Sequence, residues 1–177
     1  MKTKNIKLKM MEYFFENPTT KLRVRQIERE VKVPLPSVIR YTKELEKEEI
    51  LQSLEISGVK FYSANRISKK FLMEKVLFNL RTIYHSGLLD YLIEEYSNPT
   101  IILFGSYSKG EDIESSDMDI YIETPSKKKV NVDKFEKNIN RNIQLFTYSS
   151  LKKITNPMLT NNIINGIKLN GFLEIFK

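Results

Sequence analysis

The sequence has no cysteine and only one histidine, His85. Without cysteine there is no disulfide framework, no thiolate nucleophile and no sulfur-ligated zinc or iron–sulfur site. One histidine excludes a histidine-rich metal cluster, and beside Ser86-Gly87 it reads as a surface or capping residue. A long apolar run is missing from the N-terminus, where lysines at 2, 4, 7 and 9 make a poor signal peptide or membrane span. The expectation is a cytoplasmic protein with no membrane partner. Aspartate is absent before residue 80, so the acidic residues of the front segment are all Glu.

What is present is enough for packed cores: 177 residues, 41% of them hydrophobic, fit one domain or two small ones. Lys and Arg number 29 against 22 acidic residues, a net charge of +7. Residues 1–67 hold 14 of those cations and 9 of the acids, whereas the remaining 110 residues are close to balance at +2. The excess positive charge therefore sits in the first third, where it favours a polyanionic partner without naming it.

In that third, Ile6, Met10, Tyr13 and Phe14 recur at helical spacing until Asn17-Pro18, which predicts a helix over about residues 4–16. Val24, Ile27 and Val31 mark one face of a second helix. Pro34 and Pro36 break the chain, and Ser37 stands near the start of a third helix whose inner face carries Val38, Leu45 and either Tyr41 or Thr42. Leu51–Ile56, the turn residues Ser57-Gly58 and Val59–Ala64 then read as a β-hairpin. This order, with Val24-Arg25-Gln26-Ile27, the stretch Lys43 to Leu51 and Lys60-Phe61-Tyr62, resembles the winged-helix DNA-binding domains of bacterial and archaeal regulators. Glu49 departs from the pattern, since the family usually has Gly at that helix end. The resemblance implies DNA contact through residues 1–66, with Ser37, Arg40, Lys43 and Lys47 outward on the third helix, beside Glu44, and Lys60 on the wing. Arg40 is the candidate for a guanine edge, because a guanidinium bonds it bidentately.

Residues 67–98 carry apolar side chains at spacings of three and four, from Phe71 to Tyr96, interrupted at Ser86-Gly87. They predict two helices forming a stiff connector, since no Gly/Ser-rich linker intervenes. Its apolar stripe suits a homodimer contact or packing within one chain.

Thr100–Phe104 is a continuous β-rich run that ends at Gly105-Ser106. Gly105 and Gly110 have P-loop spacing, but Glu111-Asp112 follows where Lys-Ser/Thr belongs, and carboxylates there repel phosphate. Further on, Ser116 to Ile122 reads as a strand that begins with Asp117 and Asp119. Alternate residues of a strand share a face, so the two carboxylates converge at roughly 6–7 Å between Cα atoms. Such a pair is costly unless a cation lies between, which is a geometry for Mg²⁺.

Gly-Ser, ten residues, then Asp-x-Asp between two strands resembles the defining motif of the DNA polymerase β-like nucleotidyltransferase superfamily, in particular its minimal members. Together with the front segment and the ending Asn156-Pro157 to Gly171, the chain is similar to archaeal fusions of a winged helix with such a domain. The implied fold is α/β (α+β): a winged helix over 1–66, a helical connector over 67–98 and a mixed-sheet nucleotidyltransferase domain over 99–177.

The resemblance implies that Gly105 and Ser106 hold the triphosphate, with Lys109 and Gly110 completing the loop. Asp117 and Asp119 would ligate Mg²⁺, and a hydroxyl would attack the α-phosphate of a nucleoside triphosphate. The acceptor is open, a protein hydroxyl among the options; one version is an antitoxin-like domain that adenylylates a partner toxin. The family's third carboxylate falls at Gln144, in the strand Asn142–Phe146, and Gln has no charge to hold a second Mg²⁺. Glu123 shares the face of Asp119 but lies about 13 Å away along the strand. Two functions compete: an Mg²⁺-dependent nucleotidyltransferase, and a DNA-binding regulator whose nucleotidyltransferase domain is silent, sensing nucleotide or dimerising.

Overall fold

The computed structural model describes residues 6–175, and the chain divides into two compact units, Met1–Phe78 and Asn79–Lys177. Residues 4 and 5, where the first helix was expected to begin, lie outside the described residues.

The first unit opens with helix α1, Ile6–Glu16, which buries Met10, Phe14 and Phe15. Asn17 ends it by donating its side-chain amide to Tyr13 O at 2.9 Å, before Pro18 forbids another turn. Helix α2, Val24–Val31, buries Ile27 and Val31, and helix α3, Leu35–Lys47, buries Val38, Thr42 and Leu45. Pro34 and Pro36 start α3 rather than break the chain before it. Pro34 caps the helix in an extended conformation, and Pro36 lies in the first turn, where its missing N–H has no helical partner to lose.

The end of α3 explains the odd glutamate. Glu49 takes a left-handed conformation at φ 61°, its N–H bonds Glu46 O at 3.1 Å, and Ile50 N–H bonds Leu45 O at 2.9 Å. This is the Schellman arrangement, with Glu49 in the position that favours glycine. Strands β1, Leu51–Ile56, and β2, Val59–Ala64, then pair antiparallel. Ser57 and Gly58 turn between them at φ 50° and 74°, the two left-handed residues of a two-residue hairpin. Leu22 adds a single bridge to Tyr62. Tyr62, Leu51, Ile50 and Phe71 close the core over the three helices.

The second unit holds a four-stranded sheet in the order β5-β4-β3-β6. These strands are β3, Thr100–Phe104; β4, Met118–Glu123; β5, Ile143–Tyr148; and β6, Ile167–Asn170. β3 runs antiparallel to both β4 and β6, while β4 and β5 are parallel, so the sheet is mixed. Period-two alternation divides its side chains between two cores. Ile101, Leu103, Met118, Ile120, Ile122 and Ile143 pack on one face with Leu88, Leu89, Leu92, Phe135 and Ile139. Ile102, Phe104, Tyr121, Leu151 and Ile163 form the other, smaller core, with Phe146 and Tyr148 packed against it.

The helical segment expected as a connector is shared between the units. Helix α4, Lys69–Ser86, contributes Phe71 to the first core and Ile83 to the second. Helix α5, Leu88–Glu95, follows Gly87, which turns at φ 76°, and belongs to the second core. The boundary therefore falls inside a continuous helix, which is why no Gly/Ser-rich stretch marks it. The remaining helices are α6, Gly105–Lys109; α7, Asp133–Ile139; and α8, Pro157–Ile164, whose start Asn156 caps by accepting from Met158 N and Leu159 N. His85 is exposed in the last turn of α4. No helix among the described residues is long and apolar enough to cross a membrane.

Candidate active site

The same alternation that builds the smaller core aims Asp119 and Gln144 at one end of it. Asp119 shares the face of Tyr121, and in the register of β4 it stands beside Phe104 of β3 and Gln144 of β5. Gln144 precedes Phe146 and Tyr148 on the corresponding face of β5. Asp117 lies just before β4 rather than within it; the next residue, Met118, donates its N–H to Asn142 O at 2.8 Å.

Both oxygens of Asp117 are engaged by amides. Asn142 Nδ2 donates to Oδ1 at 3.1 Å, and Gln144 Nε2 donates to Oδ2 at 2.5 Å. Asn142 thus holds this corner twice, through its backbone carbonyl and its side chain. Asp119 is half-buried, and burial, followed by the charge of Asp117, pushes its carboxyl above the ordinary value. The two carboxylates therefore feel one another, as the Asp-x-Asp spacing requires.

Gly105 sits against this pair. Its φ is 73°, and a Cβ built on it would run into Asp119 Oδ2. Glycine here satisfies a backbone conformation and a close approach together. Ser106 is the second residue of α6, and its carbonyl receives the N–H groups of Gly110 and Glu111. Ser108 Oγ donates to Gly105 O at 2.8 Å, Gly110 ends α6 at φ 70°, and Lys109 is exposed.

Further residues hold the loop between α6 and β4, and sequence reasoning missed them. Asn79 Nδ2 donates to both Tyr107 O and Asp112 Oδ1 at 2.8 Å. Asp112, almost wholly buried, also faces Arg141 at 4.0 Å. No spacing signal links residues 79, 112 and 141. Asn142 did carry one, since Asn142-x-Gln144 alternates as Asp117-x-Asp119 does. Glu123 is used elsewhere: its Oε2 accepts from Tyr121 OH at 2.8 Å and from Leu151 N at 3.0 Å. Burial and then that bond push the Tyr121 hydroxyl far up.

For a divalent cation the donor set is two carboxylates. Asp117 and Asp119 are close enough to repel one another, a positive charge would relieve that repulsion, and Gly105 leaves the Asp119 oxygen uncovered by a side chain. Two carboxylates beside an open glycine are a donor set of the kind a hard divalent cation takes. No group of three or more His, Cys, Asp or Glu that could hold a metal occurs among the described residues.

Residues 85–170 match the family model described as a nucleotidyltransferase domain. That match supports the nucleotidyltransferase superfamily for this segment, and it contains Gly105, Ser106, Asp117, Asp119 and Gln144. No curated protein and no solved structure matches the chain.

In the first unit, the residues expected to face DNA stand on α3 and β2. Ser37 is in the first turn of α3, and Lys43 and Lys47 are exposed. Arg40 is exposed too, but its Nε donates to Glu44 Oε1 at 2.8 Å and its guanidinium lies over the Tyr41 ring. The residue singled out for a base edge is therefore held along its own helix by an i,i+4 partner. Lys60 pairs with Glu46 at 3.1 Å. Three cations not singled out from the sequence, Arg23, Arg25 and Arg29, join Lys60 around a cleft of about 470 Å³, whose lining includes no carboxylate.

Proposed function

We propose that the protein transfers a nucleoside monophosphate from a nucleoside triphosphate to a hydroxyl group, with Mg²⁺ as cofactor. The observation that carries this reading is the nearness of Asp117 to Asp119 at the start of β4, with Asp119 against the side-chain-free Gly105, within a segment that matches a nucleotidyltransferase family model. The acceptor oxygen attacks the α-phosphorus, and the bond from that phosphorus to the bridging oxygen breaks. Pyrophosphate departs with the electron pair, and the hydroxyl proton leaves to water. Asp117 and Asp119 would hold the Mg²⁺, which when bound would supply positive charge to offset the negative charge gained by the leaving pyrophosphate. Gly105 and Ser106 form the turn along which the triphosphate lies. Asn142 and Gln144 keep the Asp117 carboxylate in one orientation. The test is pyrophosphate release and label transfer from each of the four nucleoside triphosphates, with lysate as the acceptor source.

A second reading is favoured by Gln144 itself. An amide where the family has its third carboxylate suits a silent domain that binds nucleotide without transferring it, attached to a DNA-binding regulator. Nucleotide binding with no pyrophosphate release from any acceptor selects this alternative.

Either reading includes a winged helix that binds duplex DNA. Three helices, a two-stranded hairpin and the cation-lined cleft at Arg23, Arg25, Arg29 and Lys60 support it. DNA affinity falling steeply as salt rises is the expected outcome; negligible affinity at low salt would remove this function.

A further inference from the structure

Arg25 and Arg29 stand one turn apart on α2, both exposed, and neither side chain makes an ion pair or a hydrogen bond among the described residues. Like charges at i,i+4 weaken a helix, so the fold itself gains nothing from the pair. Arg23, two residues earlier, lies over the Phe61 ring of β2 at 5.6 Å from its centroid. Stacking of this kind orients a guanidinium and leaves its N–H edge open to a ligand. Lys60, also on β2, completes the set, although Glu46 at 3.1 Å answers part of its charge. Together with Val24 and Gln26 these four cations line the cleft of about 470 Å³, and no carboxylate joins them.

Helix α3, expected to read base edges, is arranged differently. Arg40 commits its Nε to Glu44 at 2.8 Å and its face to Tyr41. Lys43 and Lys47 are exposed, but an ammonium lacks the planar fork of a guanidinium and suits a phosphate as a point charge. α3 also sets two carboxylates, Glu44 and Glu46, among its three cations, whereas the cleft sets four cations against none. Open positive charge neutralises phosphates, and phosphate contacts carry no sequence information of their own.

Resting on the DNA-binding reading above, we infer that the cleft between α2 and the β1-β2 hairpin seats the phosphate backbone of duplex DNA, and that the first unit binds duplexes with little regard to sequence. Arg25 and Arg29 supply the charge, and Arg23 on Phe61 supplies an oriented donor edge. Arg40 reads no base.

Fluorescence anisotropy of the full chain on two labelled duplexes of equal length, one A·T-rich and one G·C-rich, tests it across a salt series. The native affinities should agree within about fivefold, and a random-sequence duplex pool carried through rounds of capture should yield no shared motif. The double variant Arg25→Gln with Arg29→Gln should bind both duplexes roughly tenfold more weakly or worse, with a salt slope lower by about 2, near one for each lost phosphate contact. Arg25→Lys with Arg29→Lys keeps both charges and should bind with native affinity and slope, which separates lost charge from a damaged fold. Arg40→Gln should alter neither affinity by more than about twofold. Native affinity in the Gln pair, binding by the Lys pair as weak as by the Gln pair, or an enriched motif whose preference Arg40→Gln removes, overturns the inference while DNA binding stands. No affinity for either duplex at low salt removes the DNA-binding reading and this inference with it.

Discussion

Gln144 donates its side-chain amide to Asp117 Oδ2 at 2.5 Å, from a strand parallel to the one Asp117 precedes. A neutral donor thus faces Asp117. Exchanging Gln144 for Asp replaces this bond by repulsion, which a second cation would relieve. Gln144→Asp should therefore melt at a lower temperature than the native chain without Mg²⁺, recover on adding Mg²⁺, and turn over at least tenfold faster. Thermal melts with and without Mg²⁺, read beside pyrophosphate release, check both halves. Unchanged turnover would mean that the amide does not limit the chemistry.

Gly105→Ala tests the close approach at Asp119. The substitution places a methyl group against Asp119 Oδ2 in a left-handed backbone that costs an alanine about 1–2 kcal/mol. The expected result is a lower Tm together with at least tenfold weaker nucleotide binding in Mg²⁺. Native binding in a normally folded variant would show that Asp119 needs no such clearance.

At the end of α3, Glu49 pays the left-handed penalty that glycine avoids. Glu49→Gly should stabilise the protein by about 1 kcal/mol, or about 2–4 °C in Tm for a chain of this size. It loses only a bond from Ser68 Oγ at 3.5 Å, the limit of hydrogen-bond distance. An unchanged or lower Tm counts against the assignment of strain.

The raised carboxyl of Asp119 links stability to pH. As pH rises from the unfolded-state value of an aspartate towards the higher folded-state value, the unfolded chain releases its proton first, and stability is lost across that window. Asp119→Asn removes the loss. Without divalent cations the variant should have the higher Tm at neutral pH, with the gap closing towards acid, while Mg²⁺ raises the Tm of the native chain alone. A pH-independent gap contradicts this origin.

These residues differ in how readily the sequence exposes them. Hairpin bounds follow from Ser57-Gly58, because a two-residue turn fixes the register of both strands. Asp119 and Gln144 share a face because strand periodicity is two, so their meeting is legible once β4 and β5 are recognised. Asp117 lies outside β4, which alternation alone does not reveal. The unit boundary was not legible, because a continuous helix crosses it without any change in composition. Nor was the Asn79, Asp112 and Arg141 network, whose partners are distant in sequence and meet only through tertiary packing. Arg40 illustrates the opposite error: its outward position was readable, but so was Glu44 four residues on, and the pair compete with any external ligand.

If the protein performs nucleotidyl transfer, two carboxylates without a third must suffice. Pyrophosphate release by the native chain and by Asp117→Asn is the deciding measurement, with Mg²⁺, each labelled nucleoside triphosphate and lysate as the acceptor source, and with circular dichroism to confirm that the variant folds. The expected result is release coupled to labelled acceptor in the native chain and a loss of at least a hundredfold in the folded variant. Nucleotide bound by the native chain with no pyrophosphate released for any acceptor, or equal release by folded Asp117→Asn, would contradict it.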